Sequence, residues 1–186
     1  MTRRTRPLLL PTVLVLLGAG TGGYLPSIPA GTVREGRLSF DGRATTGSFT
    51  GTTTAVRGAM TGGASLADVR GWVEAPVRTL QTGNAKRDKD LNRSMESGIY
   101  PTIRFELTGC TPAEATGDRT EVTLAGRFTI HGVTREASIP VTLEIGPGTI
   151  QVRGSVPLDL RDYRIGGLSR MLGMLRMDET ILVHVD

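Results

Sequence analysis

The sequence is poor in the residues on which most catalytic and metal centres depend. It has one cysteine, Cys110, and two histidines, His131 and His184, so it can form no internal disulfide and has no metal-ligand spacing. It contains no phosphate-binding loop, no dinucleotide fingerprint and no Gly-x-Ser-x-Gly motif. We therefore expect a protein that is not an enzyme and that binds neither a metal nor another cofactor. Both histidines are expected to face solvent, His131 in a hairpin turn and His184 on the outward side of a strand.

An excess of charge of one sign is also lacking. Lys and Arg total 22 against 18 Asp and Glu, and three of the basic residues, Arg3, Arg4 and Arg6, stand at the extreme N-terminus. The rest of the chain is therefore close to neutral, and its charge gives no indication of nucleic-acid binding.

Long apolar runs are absent except at residues 8–17, and that run is too short for a comfortable membrane span. An apolar run behind arginines and ahead of small residues is typical of a secretory signal. We predict a signal peptide at residues 1–23, a linker at 24–32 and one domain at 33–186. The signal predicts export to the periplasm or the extracellular space, with an uncleaved membrane anchor as the alternative.

Alternation of apolar and polar residues dominates the predicted domain. In residues 69–77, for example, every odd position is apolar or glycine, which is typical of a strand with one buried face. About eight such segments follow one another, most of them joined by short turns, with a longer polar loop predicted at 111–120. Because no long helix is available to cover the apolar face, the sheet should close on itself. The prediction is an all-β protein, an antiparallel eight-stranded β-barrel with one or two short helices.

Two segments have helical rather than strand spacing. Residues 85–96 follow Asn84, a good helix cap, and place Leu91 and Met95 one turn apart. Residues 167–177 also show apolar residues at helical spacing. Methionine adapts to irregular partners, so this second segment is interpreted either as a lid over a ligand or as a plug of ordinary core. The lid residues would be Leu168, Met171, Met174 and Leu175.

The inward face of the predicted barrel is almost entirely apolar. The residues predicted to line it are Phe40, Val73, Ile103, Phe105, Leu107, Leu124, Phe128, Val141, Leu143 and Val152. Such a surface binds an apolar chain by area burial, which contributes roughly 25 cal/mol per Å² before ordering costs. A filled core without a ligand is the alternative, and an aromatic content of only 4% favours unfilled space.

Several short motifs, in order, resemble the YceI-like polyisoprenoid-binding family. They are Thr82-Gly83-Asn84 with Arg87-Asp88, Tyr100-Pro101-Thr102-Ile103 with Phe105, Leu124-Ala125-Gly126-Arg127-Phe128-Thr129-Ile130-His131-Gly132-Val133-Thr134-Arg135, and Asp162-Tyr163. The family usually continues its Arg-Asp pair with His-Leu-Arg-Ser, and here Lys89-Asp90-Leu91-Asn92-Arg93-Ser94 stands instead. The resemblance covers residues 33–186.

The resemblance implies a lipocalin-like barrel that holds a polyisoprenoid or other long-chain amphiphilic lipid in its pore, as a periplasmic or secreted carrier or storage protein. Membrane contact would occur through the leader or during ligand exchange. One alternative is an envelope structural or stress-response protein without a stoichiometric ligand, and another is a lipid-modifying enzyme. The charged residues 86–93 are interpreted as a solvated helix face, with contact to an anionic head group as the alternative.

Overall fold

A computed structural model of the 186-residue chain describes residues 28–116, 119–166, 169–170 and 175–186. The strands are β1 (Gly31–Thr32), β2 (Leu38–Ala44), β3 (Gly47–Thr53), β4 (Arg57–Thr61), β5 (Arg70–Pro76), β6 (Thr102–Thr116), β7 (Arg119–Ile130), β8 (Val133–Gly146), β9 (Thr149–Asp159), β10 (Ser169–Arg170), β11 (Leu175–Arg176) and β12 (Thr180–Val185). The described residues also form the helix α1 (Ala85–Ser94) and single turns of 3₁₀ helix at Leu66–Asp68, Val77–Thr79 and Leu160–Tyr163. The predicted signal peptide lies outside the described residues.

A single antiparallel sheet of ten strands makes up most of the molecule, in the order β1-β4-β5-β6-β7-β8-β9-β12-β2-β3. The C-terminal β12 pairs with both β9 and β2, so it joins the two ends of the domain. At the far edge, β3 meets the segment that follows β5, where Thr52 and Gln81 exchange two backbone hydrogen bonds of 2.9 Å. The sheet is therefore curled around its apolar face, and the predicted all-β antiparallel barrel is confirmed.

The strand number differs from the predicted eight because polar segments also pair. β1 falls inside the predicted linker. The Thr-rich residues 45–57, for which the sequence predicts one strand, are divided between β3 and β4. The predicted loop at 111–120 is instead the far end of the β6–β7 hairpin, whose register runs from Thr111 opposite Thr123 to Thr116 opposite Arg119. Threonine favours extended backbone without needing an apolar partner, so alternation alone does not detect such strands.

The second predicted helix is not present in the described backbone of residues 169–170 and 175–176. Ser169 pairs with Arg176, and Arg170 with Leu175, as a two-stranded antiparallel ribbon. Leu168, Met171 and Met174 lie outside the described residues, as does the side chain of Leu175, so the lid stays a prediction. Gly167 and Gly173 are unfavourable inside a helix. The helix was predicted because the helical spacing of the apolar residues was given more weight than these glycines.

The apolar faces of the strands form one hydrophobic core inside the curled sheet. Its most deeply buried members include Val77, Val122, Ile139 and Val141. Within the described part of the chain, no helix combines the length and the apolar character needed to cross a membrane.

On the outer face, Glu74 forms the centre of an ion-pair network. Its carboxylate accepts hydrogen bonds from Arg57 Nε at 2.7 Å and from Arg104 Nη1 at 2.9 Å. Burial raises the pKa of Glu74, but the hydrogen bonds from Arg104 and Arg57 outweigh it, and the pKa lies below its usual value. Arg104 also packs on Trp72, with its guanidinium carbon 4.6 Å from the ring centroid.

Candidate ligand-binding site

An apolar cavity of about 290 Å³ lies between α1 and the inner face of the sheet. Its apolar wall consists of Leu38, Phe40, Ala44, Phe49, Leu80, Leu91, Met95, Ile103, Phe128, Ile130, Leu158, Leu160, Ile165, Met177, Ile181 and Val183. Apart from Ser39, its polar lining residues lie on α1 (Arg87, Asp90 and Ser94) or in the β2–β3 turn (Thr45 and Thr46). The cavity thus has an apolar interior and one polar rim, which is the arrangement that an amphiphile needs.

Of the predicted pore residues, the structure brings Phe40, Ile103 and Phe128 together in the wall of this cavity. Val141 and Leu143 are buried in the adjoining core, and three others are half-buried against it, namely Phe105, Leu124 and Val152. Val73 is half-buried in β5, and Leu107 lines a second, more open hollow together with Trp72 and Arg104. The roles of all these residues as ligand contacts stay predictions.

Much of the cavity wall was not predicted from the sequence, including Phe49, Leu91, Met95, Ile181 and Val183. The i, i+4 spacing of Leu91 and Met95 was the signal that could have placed α1 against an apolar surface. Ile181 and Val183 lie on the inward face of β12, and the alternation of the sequence also places them on one face of a strand. What the sequence could not display was which end of each strand the helix covers.

Two phenylalanines of the cavity wall are seated on glycines of the neighbouring strand. Phe40 stands opposite Gly51, and Phe49 stands opposite Gly42. A Cβ built on Gly42 would lie 2.7 Å from Phe49 Cζ, and one built on Gly51 would overlap the ring of Phe40. The two rings meet edge to face with centroids 6.1 Å apart. The glycines therefore let the rings lie against the sheet, which leaves the space beyond them open.

Helix α1 is fixed to the rim of the cavity by the residues that begin it. As predicted, Asn84 caps the helix, and its Oδ1 accepts from the backbone N–H groups of Lys86 at 3.1 Å and Arg87 at 3.0 Å. Asp88 accepts from the backbone N–H of Thr82 at 2.8 Å and from its hydroxyl at 2.6 Å. Arg87 donates from Nε to Thr82 Oγ1 and from Nη2 to the Thr82 carbonyl, both at 2.9 Å.

The side chain of Arg87 also packs on the cavity wall. Its guanidinium carbon lies 4.3 Å from the centroid of the Phe49 ring, and Arg87 lines the cavity. A cation held over an aromatic face and fixed by two hydrogen bonds has a defined orientation. The rim therefore presents an oriented guanidinium beside an apolar interior.

The prediction that His131 is solvated is wrong. The turn itself is as predicted, with positive φ at His131 (51°) and Gly132 (71°), but the His131 side chain is only 11% exposed. Its Nδ1 lies 3.0 Å from the Tyr163 carbonyl oxygen, its Nε2 lies 3.2 Å from Glu96 Oε2, and its ring meets Tyr100 edge to face. The hairpin tip is thus packed against the residues that follow α1, a contact between distant segments that the local pattern does not reveal.

His184 lies on the outer face as predicted, 36% exposed, but it belongs to a row of polar residues across adjacent strands. Its Nδ1 lies 2.7 Å from Ser155 Oγ and its Nε2 lies 3.0 Å from Asp41 Oδ2. Hydrogen bonds from Thr50 and His184 lower the pKa of Asp41. Neither cavity described above is lined by this serine, histidine or aspartate.

The thiol of Cys110 is buried, and burial raises its pKa. Because the thiolate is the reactive form, this environment makes Cys110 a structural residue of β6 rather than a nucleophile. Across the described residues, no three side chains of His, Cys, Asp or Glu are grouped as metal ligands would be.

The YceI-like domain family matches residues 32–186. Two solved structures are similar in fold. BcnA of Burkholderia cenocepacia has a TM-score of 0.67 at 15% identity, covering 81% of this chain and 93% of its own. A polyisoprenoid binding domain from Saccharophagus degradans, implicated in plant cell wall breakdown, has a TM-score of 0.68 at 16% identity, covering 85% and 95%. Among curated proteins, none matches this chain at a significant level.

Proposed function

We propose that this chain, which belongs to the YceI-like domain family, binds one polyisoprenoid or other long-chain amphiphilic lipid in the cavity under α1. The proposal includes export by a signal peptide at residues 1–23 and a role as a periplasmic or secreted carrier or storage protein. The observation that carries it is the distribution of polarity in the cavity, whose interior is apolar and whose polar residues lie mainly on α1 and the β2–β3 turn.

The size of the cavity favours a single tail. Its volume of about 290 Å³ lies at the lower end of the roughly 300–1,000 Å³ usual for small-molecule pockets. If one methylene takes the share of one liquid water, about 30 Å³, the cavity holds roughly ten carbons. At about 0.8 kcal/mol for each, their burial contributes at most about 8 kcal/mol, which corresponds to a Kd of about 1 µM. A longer tail would extend beyond the cavity.

The volume also predicts a dependence on chain length. In calorimetric titrations with geraniol, farnesol and geranylgeraniol, affinity should already be close to its maximum with geraniol, whose ten carbons fill the cavity, and should rise little with the longer tails. Organic extraction of the purified protein, followed by mass spectrometry, tests the same proposal on the native ligand and should release an isoprenoid or related lipid.

A pair of variants on adjacent residues of β12 separates the cavity from the rest of the barrel. Ile181 lines the cavity and is 9% exposed, whereas Leu182 faces outward and is 40% exposed. Ile181→Phe should fill part of the cavity and weaken farnesol binding by about tenfold or more, since a phenyl ring displaces several carbons of the tail. Leu182→Phe is the matched control and should bind normally. Equal binding by both variants, or no lipid and no farnesol binding in the unaltered protein, would end the proposal.

A further inference from the structure

One cationic side chain at the rim of the cavity has no carboxylate partner within residues 28–116, 119–166, 169–170 and 175–186. Helix α1 carries several charges, and its two aspartates are engaged, Asp88 by the backbone and hydroxyl of Thr82 and Asp90 by Arg93 at 3.4 Å. Arg87 is half-buried and lines the cavity, as Asp90 does, but it pairs with no carboxylate among the described residues.

Within the described part of the chain, Arg87 uses only some of its hydrogen-bond donors, and the others can bind a ligand. A guanidinium has five N–H donors. One of them, on Nε, goes to Thr82 Oγ1 and one on Nη2 goes to the Thr82 carbonyl. The other N–H groups have no acceptor in the described part of the chain. A half-buried cation with unused donors is a place where an acceptor from outside the chain would gain the most.

The surroundings of Arg87 favour an anion over a neutral acceptor. Phe49 covers one face of the guanidinium, and the adjoining cavity wall is apolar, so the charge is less well screened than on an open surface. The backbone N–H groups of the first helical turn are already capped by Asn84, so any anion here would be bound by the guanidinium rather than by the helix terminus.

From this geometry we infer that Arg87 binds the anionic head group, of the phosphate class, of the lipid whose tail fills the cavity. The inference rests on the proposed function and refines it by naming the head group. A planar fork of donors suits two oxygens of one phosphate, and the Thr82 contacts hold that fork in place before the ligand arrives.

The test compares farnesol with farnesyl phosphate, which share a tail and differ in charge. The unaltered protein should bind farnesyl phosphate about tenfold or more tightly than farnesol, the gain expected of a charge-assisted hydrogen bond. Arg87→Gln should bring the ratio of the two affinities close to one, whatever its effect on farnesol binding itself. Lys89→Gln removes the same charge from an exposed position of α1 and should keep the preference. Arg87→Lys should retain part of it, because an ammonium keeps the charge and loses the fork.

The outcomes separate this inference from the function on which it rests. If farnesol binds and farnesyl phosphate binds no tighter, the head-group assignment is wrong and the lipid-binding proposal stands. If neither binds, the lipid-binding proposal itself falls. Inorganic phosphate is the control for a free anion, and binding as tight as that of farnesyl phosphate, with the same dependence on Arg87, would overturn the assignment to a lipid. If Arg87→Gln binds neither ligand, Arg87→Lys provides the test. An Arg87→Lys variant that prefers farnesyl phosphate over farnesol as strongly as the unaltered protein would overturn the head-group assignment.

Discussion

The open cavity depends on the absence of a side chain at Gly51, and a single methyl group tests this. Gly51 lies in β3 opposite Phe40, and a Cβ at Gly51 would stand 2.5 Å from Phe40 Cζ and 3.0 Å from Cδ1. Phe40 Cε1 would stand closer still, and carbon atoms rest about 3.5–4 Å apart, so the ring must move by more than about 1 Å in Gly51→Ala. Because Phe40 lines the cavity, the displaced ring has space on that side.

The expected effect is a loss of both stability and binding. Overpacking of this kind costs about 1–3 kcal/mol in the free energy of unfolding, and adjacent empty space places the value at the lower end. A loss of about 1 kcal/mol lowers Tm by roughly 2–4 °C in a domain of this size. Farnesol should bind more weakly, because the ring takes volume that the tail would occupy.

The matched control is Gly109→Ala in β6, where nothing lies within 4 Å of the added Cβ. This variant should unfold within about 0.5 kcal/mol of the unaltered protein, since surface changes away from packing constraints have small effects. Urea unfolding followed by far-UV circular dichroism measures both variants, and calorimetry measures the binding.

A double-mutant cycle identifies Phe40 as the cause. Phe40→Leu removes Cε1 and Cζ, the two ring atoms that the added Cβ would approach most closely, so the double variant should be less destabilised than the sum of the two single variants. Strict additivity, or a Gly51→Ala variant as stable and as competent for farnesol as Gly109→Ala, would show that the ring is not seated on Gly51 and would refute the reasoning.

Other predictions follow from the buried polar contacts. His131→Ala should lower the free energy of unfolding in urea by about 1–3 kcal/mol, because it leaves the Tyr163 carbonyl without its hydrogen bond. His184→Ala should lower it by less than half as much, and equal losses would contradict the packing of the hairpin tip. Glu74→Gln should cost about 1–2 kcal/mol at neutral pH. The pKa of Glu74 is lowered in the folded state, so its contribution is complete above its unfolded pKa of about 4.3 and disappears as pH falls through the folded pKa. The difference in free energy of unfolding between Glu74→Gln and the unaltered protein should therefore decrease below about pH 4. A difference that stays constant with pH would refute the ion pairing of Glu74. Cys110 should react with a thiol reagent in urea but not in the folded protein, and rapid labelling of the native chain would show that β6 opens locally.

The fold could be predicted from the sequence where a strand has one apolar face. The alternation in residues 121–130 and 137–145 predicts two strands, and the structure pairs them as β7 and β8 around the predicted turn at His131 and Gly132. Alternation does not reveal strands whose pairing is independent of burial, as in the polar end of the β6–β7 hairpin. Backbone hydrogen bonds hold such a ribbon together, and backbone groups are the same in every residue.

The candidate site was harder to predict because a cavity depends on where elements end and cross. Phe105 and Phe128 share the same inward pattern and pair directly across β6 and β7, yet only Phe128 lines the cavity. The difference is their position relative to α1, which covers one region of the sheet. Alternation gives the face of a strand on which a residue lies and gives no information about its depth within a barrel.

The motif around α1 has two roles that its sequence does not distinguish. Thr82, Asn84 and Asp88 use their polar atoms within the chain, to cap the helix and to fix its first turn. A protein with this fold needs those contacts whatever it binds, so they carry no information about a ligand. Arg87 uses part of its guanidinium in the same way and has donors left over at the rim of the cavity. If any residue of the motif selects the ligand, it must therefore be Arg87, and the affinity difference between farnesyl phosphate and farnesol measures that selection directly.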